Sequence, residues 1–286
     1  MGIVLGANEY GKAENRLVRI HRDTARHEIR DVTVSTALRG DFSAAHLVGD
    51  QSRVLPTDTQ KNTCYAFAKS KGLGEIEDYA LTLARHFLDT VEPVTGARIE
   101  VAEFGWDRVE VGGSGHDHTW VRRGSEVRTT VVTVDGDGAR VQSGLRDLVL
   151  LKSTGSEFAG FLVDEYTTLA PTHDRIMSTS LVAGWRYGDA SVRGAGIAWD
   201  TTWADVRRIL LERFATVHSL ALQQTLWEMG RAALQAHPEI AEISLSAPNR
   251  HHFPVDLEPF GLANENEVFY AADRPYGLIE ATVTRD

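Results

Sequence analysis

Twice along this chain the apolar residues change their spacing and then change back, and few architectures satisfy that order. Leu17, Val18 and Ile20, and then Val32, Val34 and Ala37, follow the alternation of two strands in a hairpin. The spacing then becomes three and four: Ile76, Ala80, Leu83, Ala84, Phe87 and Leu88 form one apolar helix face, with Gly72 and Gly74 ahead of it and Pro93 just beyond. Residues 99–111 and 127–134 return to strand, and Asp135-Gly136-Asp137-Gly138 reads as a hairpin turn. The second half repeats the order, with strands over 140–151 and 180–187, helices over 203–215 and 220–236 stopped at His237-Pro238, and strands over 240–246 and 277–283. Helices gathered between strand pairs are not alternating βαβ units, so the pattern predicts an antiparallel α+β architecture. A chain of 286 residues suits two packed domains, here residues 1–137 and 138–286. Such sheets leave edges unpaired. Closure into a barrel across subunits is one solution, and two open sandwiches in a monomer are the other.

Composition narrows the partners. A net charge of −10 argues against a nucleic-acid surface, which needs clustered Lys and Arg. It leaves room for an anionic small molecule, since one buried arginine can hold that. Cys64 is the only cysteine, so no intramolecular disulfide can form and a reducing compartment is expected. Lys12 and Glu14 interrupt anything resembling the apolar core of a signal peptide, and Thr284-Arg285-Asp286 is no peroxisomal tripeptide. No apolar run approaches the roughly 18 residues that span a membrane. The expectation is a cytoplasmic protein without membrane or nucleic-acid partners.

Four stretches mix polar groups that have few structural duties. Tyr10-Gly11-Lys12 is expected just before the first strand, and residues 56–63, with Thr57 and Asp58, open a helix. Residues 156–161, with Phe158, precede Asp164-Glu165-Tyr166-Thr167-Thr168 and Asp174-Arg175-Ile176. Residues 247–253, with Asn249, His251 and His252, are expected directly after a strand. Each has a plain alternative. Thr57 or Asp58 could be an N-cap, Phe158 a core residue, Gln223 a solvated helix residue, and Asn249 part of a turn. Lys12 could be an ordinary exposed lysine, and Arg175 could pair with Asp174 or Glu165. A metal reading of His116-Asp117-His118 or His251-His252 lacks the usual ligand spacings, and adjacent strand residues face opposite ways. No Gly-x-Gly-x-x-Gly follows a strand, so no dinucleotide site is expected.

Taken together and in this order, these stretches resemble the urate oxidase family. That pattern includes Tyr-Gly-Lys, Thr-Asp followed by Lys-Asn-Thr, the run from Lys152 to Phe158, Asp-Glu-Tyr-Thr-Thr, Asp-Arg-Ile, a Gln early in the last long helix, and Pro-Asn-x-His. Ala159 departs from it, because relatives often carry tryptophan there, and so does the Gly-rich loop expected over residues 112–118. The resemblance implies the tunnelling fold: two similar sheet-plus-helices domains per subunit and a barrel closed by oligomerisation. It also implies a homotetramer with active sites between subunits and oxidation of urate by molecular oxygen without metal or organic cofactor. By the same resemblance, Arg175 grips urate, Gln223 reads the other purine edge, Phe158 stacks on the ring and Leu222 contributes a backbone contact. Gln224 serves as the control on another helix face. Thr57 and Asp58 come from the neighbouring subunit, Lys12, Thr57 and His251 form a proton relay, and Asn249 positions oxygen or water. The rivals are a catalytically dead purine binder and a pterin-processing zinc enzyme of the same fold. Lys12 and Thr57 speak against the first, and the missing ligand motif speaks against the second.

Overall fold

The computed structural model describes residues 2–189, 192 and 196–285. The last residue of the Thr284-Arg285-Asp286 terminus therefore lies outside the described residues. In chain order the elements are β1 (Tyr10–His21), β2 (Glu28–Gly40), α1 (Ser43–Val48), α2 (Thr57–Ser70), α3 (Ile76–Thr90), β3 (Val94–Val111), β4 (Ser114–Asp135) and β5 (Gly138–Lys152). There follow β6 (Met177–Tyr187), α4 (Trp199–Thr216), α5 (Leu222–Ala236), β7 (Ile240–Pro254) and β8 (Phe269–Thr284). Strands hydrogen-bond in sequence order from β1 to β8, and the pairs β1–β2, β2–β3, β3–β4 and β7–β8 are antiparallel. The antiparallel α+β architecture expected from the spacing is thus present, with β1 and β8 at the two ends of the strand order. No helix among the described residues is long and apolar enough to cross a membrane.

Two compact units form, residues 1–144 with 186–201, and residues 145–185 with 202–286. In the first, α3 lies against β3 and β4. Its buried Ile76, Ala80, Leu83, Ala84 and Phe87 meet strands that alternate buried and less buried positions, as at Ala97, Ile99 and Val101. Each large apolar side chain buried in this way contributes about 1.5–3 kcal/mol. In the second unit α5 packs on β7 and β8 with Leu222, Leu226, Met229 and Ala233 buried. Gly230 permits the approach: a Cβ there would stand 2.5 Å from Val283 Cγ2.

Three boundaries differ from the expectation, each for a local reason. Tyr10-Gly11-Lys12 belongs to β1 rather than preceding it. Gly11 lies so close to β2 that a Cβ would stand 1.7 Å from the Thr36 carbonyl oxygen. The Gly-rich stretch over residues 112–118 is a two-residue turn. Gly112 and Gly113 both take positive φ (59° and 81°), the requirement of a tight hairpin turn, so pairing resumes at Ser114. The run over residues 247–253 continues β7 instead of following it, with a break in its register against β8 between Asn249 and His251.

A buried ionic cluster ties the first unit together. Glu77 is fully buried on α3 and accepts from Arg128 Nη2 at 2.7 Å and from Ser143 Oγ at 2.6 Å. Arg128, 7% exposed, also meets Asp200, which Arg30 bonds at 2.7 Å while reaching Glu103 at 2.6 Å. Burial outweighs these partners at Glu77 and leaves its carboxyl above the usual range. Removing one partner from such a buried set leaves an uncompensated charge and costs about 3–5 kcal/mol. Arg128→Met should therefore lower unfolding stability by about that amount, and adding Glu77→Gln should restore part of it. Denaturant unfolding of the single and double variants checks this; equal stability of Arg128→Met and the parent chain would contradict it.

Candidate active site

A cavity of about 540 Å³ opens in the second unit, and six of the nine site residues expected from the sequence line it: Phe158, Arg175, Leu222, Gln223, Asn249 and His251. The other three, Lys12, Thr57 and Asp58, lie in the first unit. Backbone hydrogen bonds set the walls. Phe158 and Thr172 exchange N–H···O bonds of 2.8 and 2.9 Å, and the Arg175 N–H donates to Ser156 O at 3.0 Å. Glu157 N–H donates to Ser219 O at 2.7 Å and Ser219 N–H to Gly155 O at 2.9 Å, so the connection into α5 is stitched to the same segment.

Arg175 is the unusual group. Its guanidinium carbon stands 5.4 Å from the centre of the Phe158 ring, a cation–π contact. Its Nε is buried without a hydrogen-bond partner, and desolvation pulls its pKa below the usual arginine value. Neither candidate carboxylate is paired with it among the described residues: Asp174 accepts from Thr154 Oγ1 at 2.7 Å, and Glu165 joins no ion pair. Lys152, whose Nζ donates to Val217 O at 2.7 Å, also carries a lowered pKa, from its own burial first and from Arg175 second. The cavity thus contains a guanidinium that Asp174, which lines the same cavity, does not pair.

Another part of the lining is the start of α5. Leu222 is the first helical residue and its side chain is in the core, 2% exposed, while the N–H groups of the first turn have no intrahelical acceptor. Gln223 projects toward the cavity, whereas Gln224 turns back so that its Oε1 accepts from the Leu220 N–H at 2.9 Å. Gln224, expected only as a control, thus ties the loop before α5 to the helix's first turn. On β7, Asn249 pairs with Gly277 and His251 with Ala272. His251 stacks on Phe253 at 5.8 Å. Its pKa is lowered by burial, then by Arg175 and His252. His252, expected on the opposite face, lines the cavity as well.

In the first unit the Lys12 N–H donates to Thr36 Oγ1 at 3.2 Å, and that hydroxyl donates to the buried Gln60 Oε1 at 2.7 Å. This relay fixes β1 to the first turns of α2, where Thr57 is the first residue. Pro56 holds the cap position and no side chain caps the helix, so Thr57 and Asp58 are not spent on capping. The Asp58 carboxylate, exposed, is held below its usual pKa chiefly by Lys61. No group of three or more His, Cys, Asp or Glu side chains able to hold a metal ion occurs among the described residues.

Sequence reasoning missed the apolar part of the cavity, including Leu169, Phe253, Phe269 and Ile279. A lone apolar residue in a loop or strand carries no signal of its own. It also missed the contacts of Glu157, whose carboxylate accepts from His218 Nε2 at 2.5 Å and His173 Nδ1 at 2.9 Å. These residues are 16 and 61 positions away, and no local pattern joins them.

Comparison with known proteins identifies the family. The uricase family model matches residues 8–133 and 141–280. A uricase from Arthrobacter globiformis is 54% identical over 284 residues, covering 99% of this chain and 91% of that protein. A uricase from Cyberlindnera jadinii is 34% identical over 298 residues, covering 100% and 98%. The crystal structure of uricase from Arthrobacter globiformis superposes with a TM-score of 0.94 at 53% identity, covering 100% of this chain and 96% of that one. A chain that matches this model and these relatives over nearly its whole length belongs to the uricase family.

Proposed function

We propose that this chain oxidises urate with molecular oxygen and water to 5-hydroxyisourate and hydrogen peroxide, without metal or organic cofactor, in purine degradation. The observation that carries this reading is Arg175: a desolvated guanidinium without a carboxylate partner, set over an aromatic ring in a cavity of about 540 Å³. A planar anion suits it, because guanidinium donors lie in one plane and pair in parallel with an anionic purine edge. Gln223 both donates and accepts, as the other purine edge requires. Phe158 offers its face to the ring, and the free N–H groups at the start of α5 add donors. Asn249 holds oxygen or water above the purine plane. Deprotonated urate is electron-rich and is itself the reductant, so the protein's tasks are to remove a proton, hold the anion flat and keep oxygen over one face.

Thr57 and Asp58 complete the site from a neighbouring subunit, and Lys12, tied to the same helix through Thr36 and Gln60, accepts the proton through Thr57 with His251 tuning the relay. The assembly is a homotetramer in which the sheets close into a barrel, built on two similar domains over residues 1–137 and 138–286, and it works in the cytoplasm. Loss of urate absorbance with stoichiometric peroxide, undiminished by a chelator, tests the reaction; no turnover, or turnover abolished by the chelator, would overturn it.

Variants separate the tasks. Arg175→Met should weaken binding of a non-oxidised purine analogue by roughly 2–5 kcal/mol. The same change removes a desolvated charge, so thermal unfolding of the ligand-free protein should be unchanged or shifted upward. A clearly less stable variant with intact affinity would make Arg175 a structural residue. Lys12→Met should cut turnover by roughly 10²–10⁴-fold while leaving analogue affinity near that of the parent; normal turnover would remove Lys12 from the relay. His251 is held neutral to a lower pH than an ordinary histidine, since burial and the Arg175 charge both disfavour its imidazolium. Protonation therefore sets in only below the ordinary value of about 6.5, and Arg175→Met should raise that midpoint. A histidine NMR titration reads it directly, and an unmoved midpoint would contradict the coupling.

A further inference from the structure

Glu157 does not line the cavity, yet it touches the segments that carry Phe158, Arg175 and the start of α5. It directly precedes Phe158. Its carboxylate accepts from His173, two residues before Arg175, and from His218, four residues before α5 begins at Leu222. The carboxylate faces inward, 22% exposed, while the two imidazoles cover it from outside at 79% and 59%. An ionised carboxylate only accepts, so each ring must present an N–H to it, and these bonds hold its pKa below the usual range. The backbone bonds Glu157 N–H to Ser219 O and Arg175 N–H to Ser156 O join the same three segments from beneath.

We infer that Glu157 is a positioning residue: clasped by His173 and His218, it fixes Phe158, Arg175 and the start of α5 relative to one another and so sets affinity for the purine anion. The inference rests on the proposed binding of urate in this cavity. Misplacing a binding group by about 1 Å can lower its effect by up to 10²-fold. The clasp acts on walls that hold the ligand and not on the proton relay, so it belongs to affinity more than to turnover.

The test compares Glu157→Ala, Glu157→Gln, His173→Ala, His218→Ala and the double histidine variant with the parent enzyme. Equilibrium binding of a non-oxidised purine analogue is measured alongside KM and kcat for urate, with Arg175→Met as the reference. Glu157→Ala should raise the analogue Kd and KM about 10-fold with kcat changed less than about threefold. Glu157→Gln should recover much of this, because an amide accepts from one ring and donates to the other once that ring changes tautomer. The double histidine variant should match Glu157→Ala in size, since all three groups form one unit. Should Glu157→Ala fail to fold, the single histidine variants carry the test, each raising Kd by about threefold. A lowered melting temperature with unchanged Kd and KM would overturn the inference, as would Glu157→Gln being as damaging as alanine. If Arg175→Met abolishes analogue binding while the clasp variants bind normally, only the Glu157 role is wrong. If Arg175→Met binds normally, the cavity is not the urate site and the inference falls with it.

Discussion

Arg128 gives up water almost wholly and Arg175 in part, and the difference between their surroundings organises everything else. Arg128 is surrounded by carboxylates from Glu77, Glu103 and Asp200, and its cluster closes on itself inside the first unit. Arg175 is partly buried without such company: its guanidinium stands over the Phe158 ring, and Asp174 beside it in the chain bonds Thr154 instead. Desolvation lowers its pKa, but an arginine stays charged at any ordinary pH. The cavity therefore holds a guanidinium that no carboxylate among the described residues pairs, although Asp174 lines the same cavity. At an effective dielectric of about 20, an anion 4 Å away recovers roughly 4 kcal/mol. That is enough to make an anionic ligand the natural complement of the cavity.

Holding such a charge in place requires a stiff frame. The frame is built from hydrogen bonds around Arg175: the paired N–H···O bonds of Phe158 with Thr172, the Glu157 clasp, and the Gln224 bond to the loop ahead of α5. None uses the group that would touch the ligand. Gln223 and Gln224 divide the labour between adjacent residues, one toward the cavity and one back to the Leu220 N–H. β7 adds Asn249, His251 and His252 to the lining of the same cavity.

Much of this was legible in the sequence. Apolar spacing at Ile76, Ala80, Leu83 and Phe87 located α3, and alternation located β1 and β2, because both elements bury one face and periodicity records burial. The motif around Arg175 was legible only through family resemblance. Nothing local to Asp174-Arg175 shows that Thr154 takes the carboxylate and leaves the guanidinium unpaired. Strand ends were read short at Gly11, Ser114 and Asn249 because glycine pairs, bulges and polar residues look like loop when only apolar alternation is followed. The Glu157 contacts with His173 and His218 were invisible, since partners 16 and 61 residues apart leave no mark on spacing.

The most direct measurement is a structure of the enzyme with a non-oxidisable purine anion bound. The ring is expected parallel to Phe158, with its anionic edge against the Arg175 guanidinium and its far edge on Gln223 and the first N–H groups of α5. A purine bound elsewhere, or bound in this cavity with Arg175 turned to a carboxylate of the protein, would contradict the central place given to that unpaired charge.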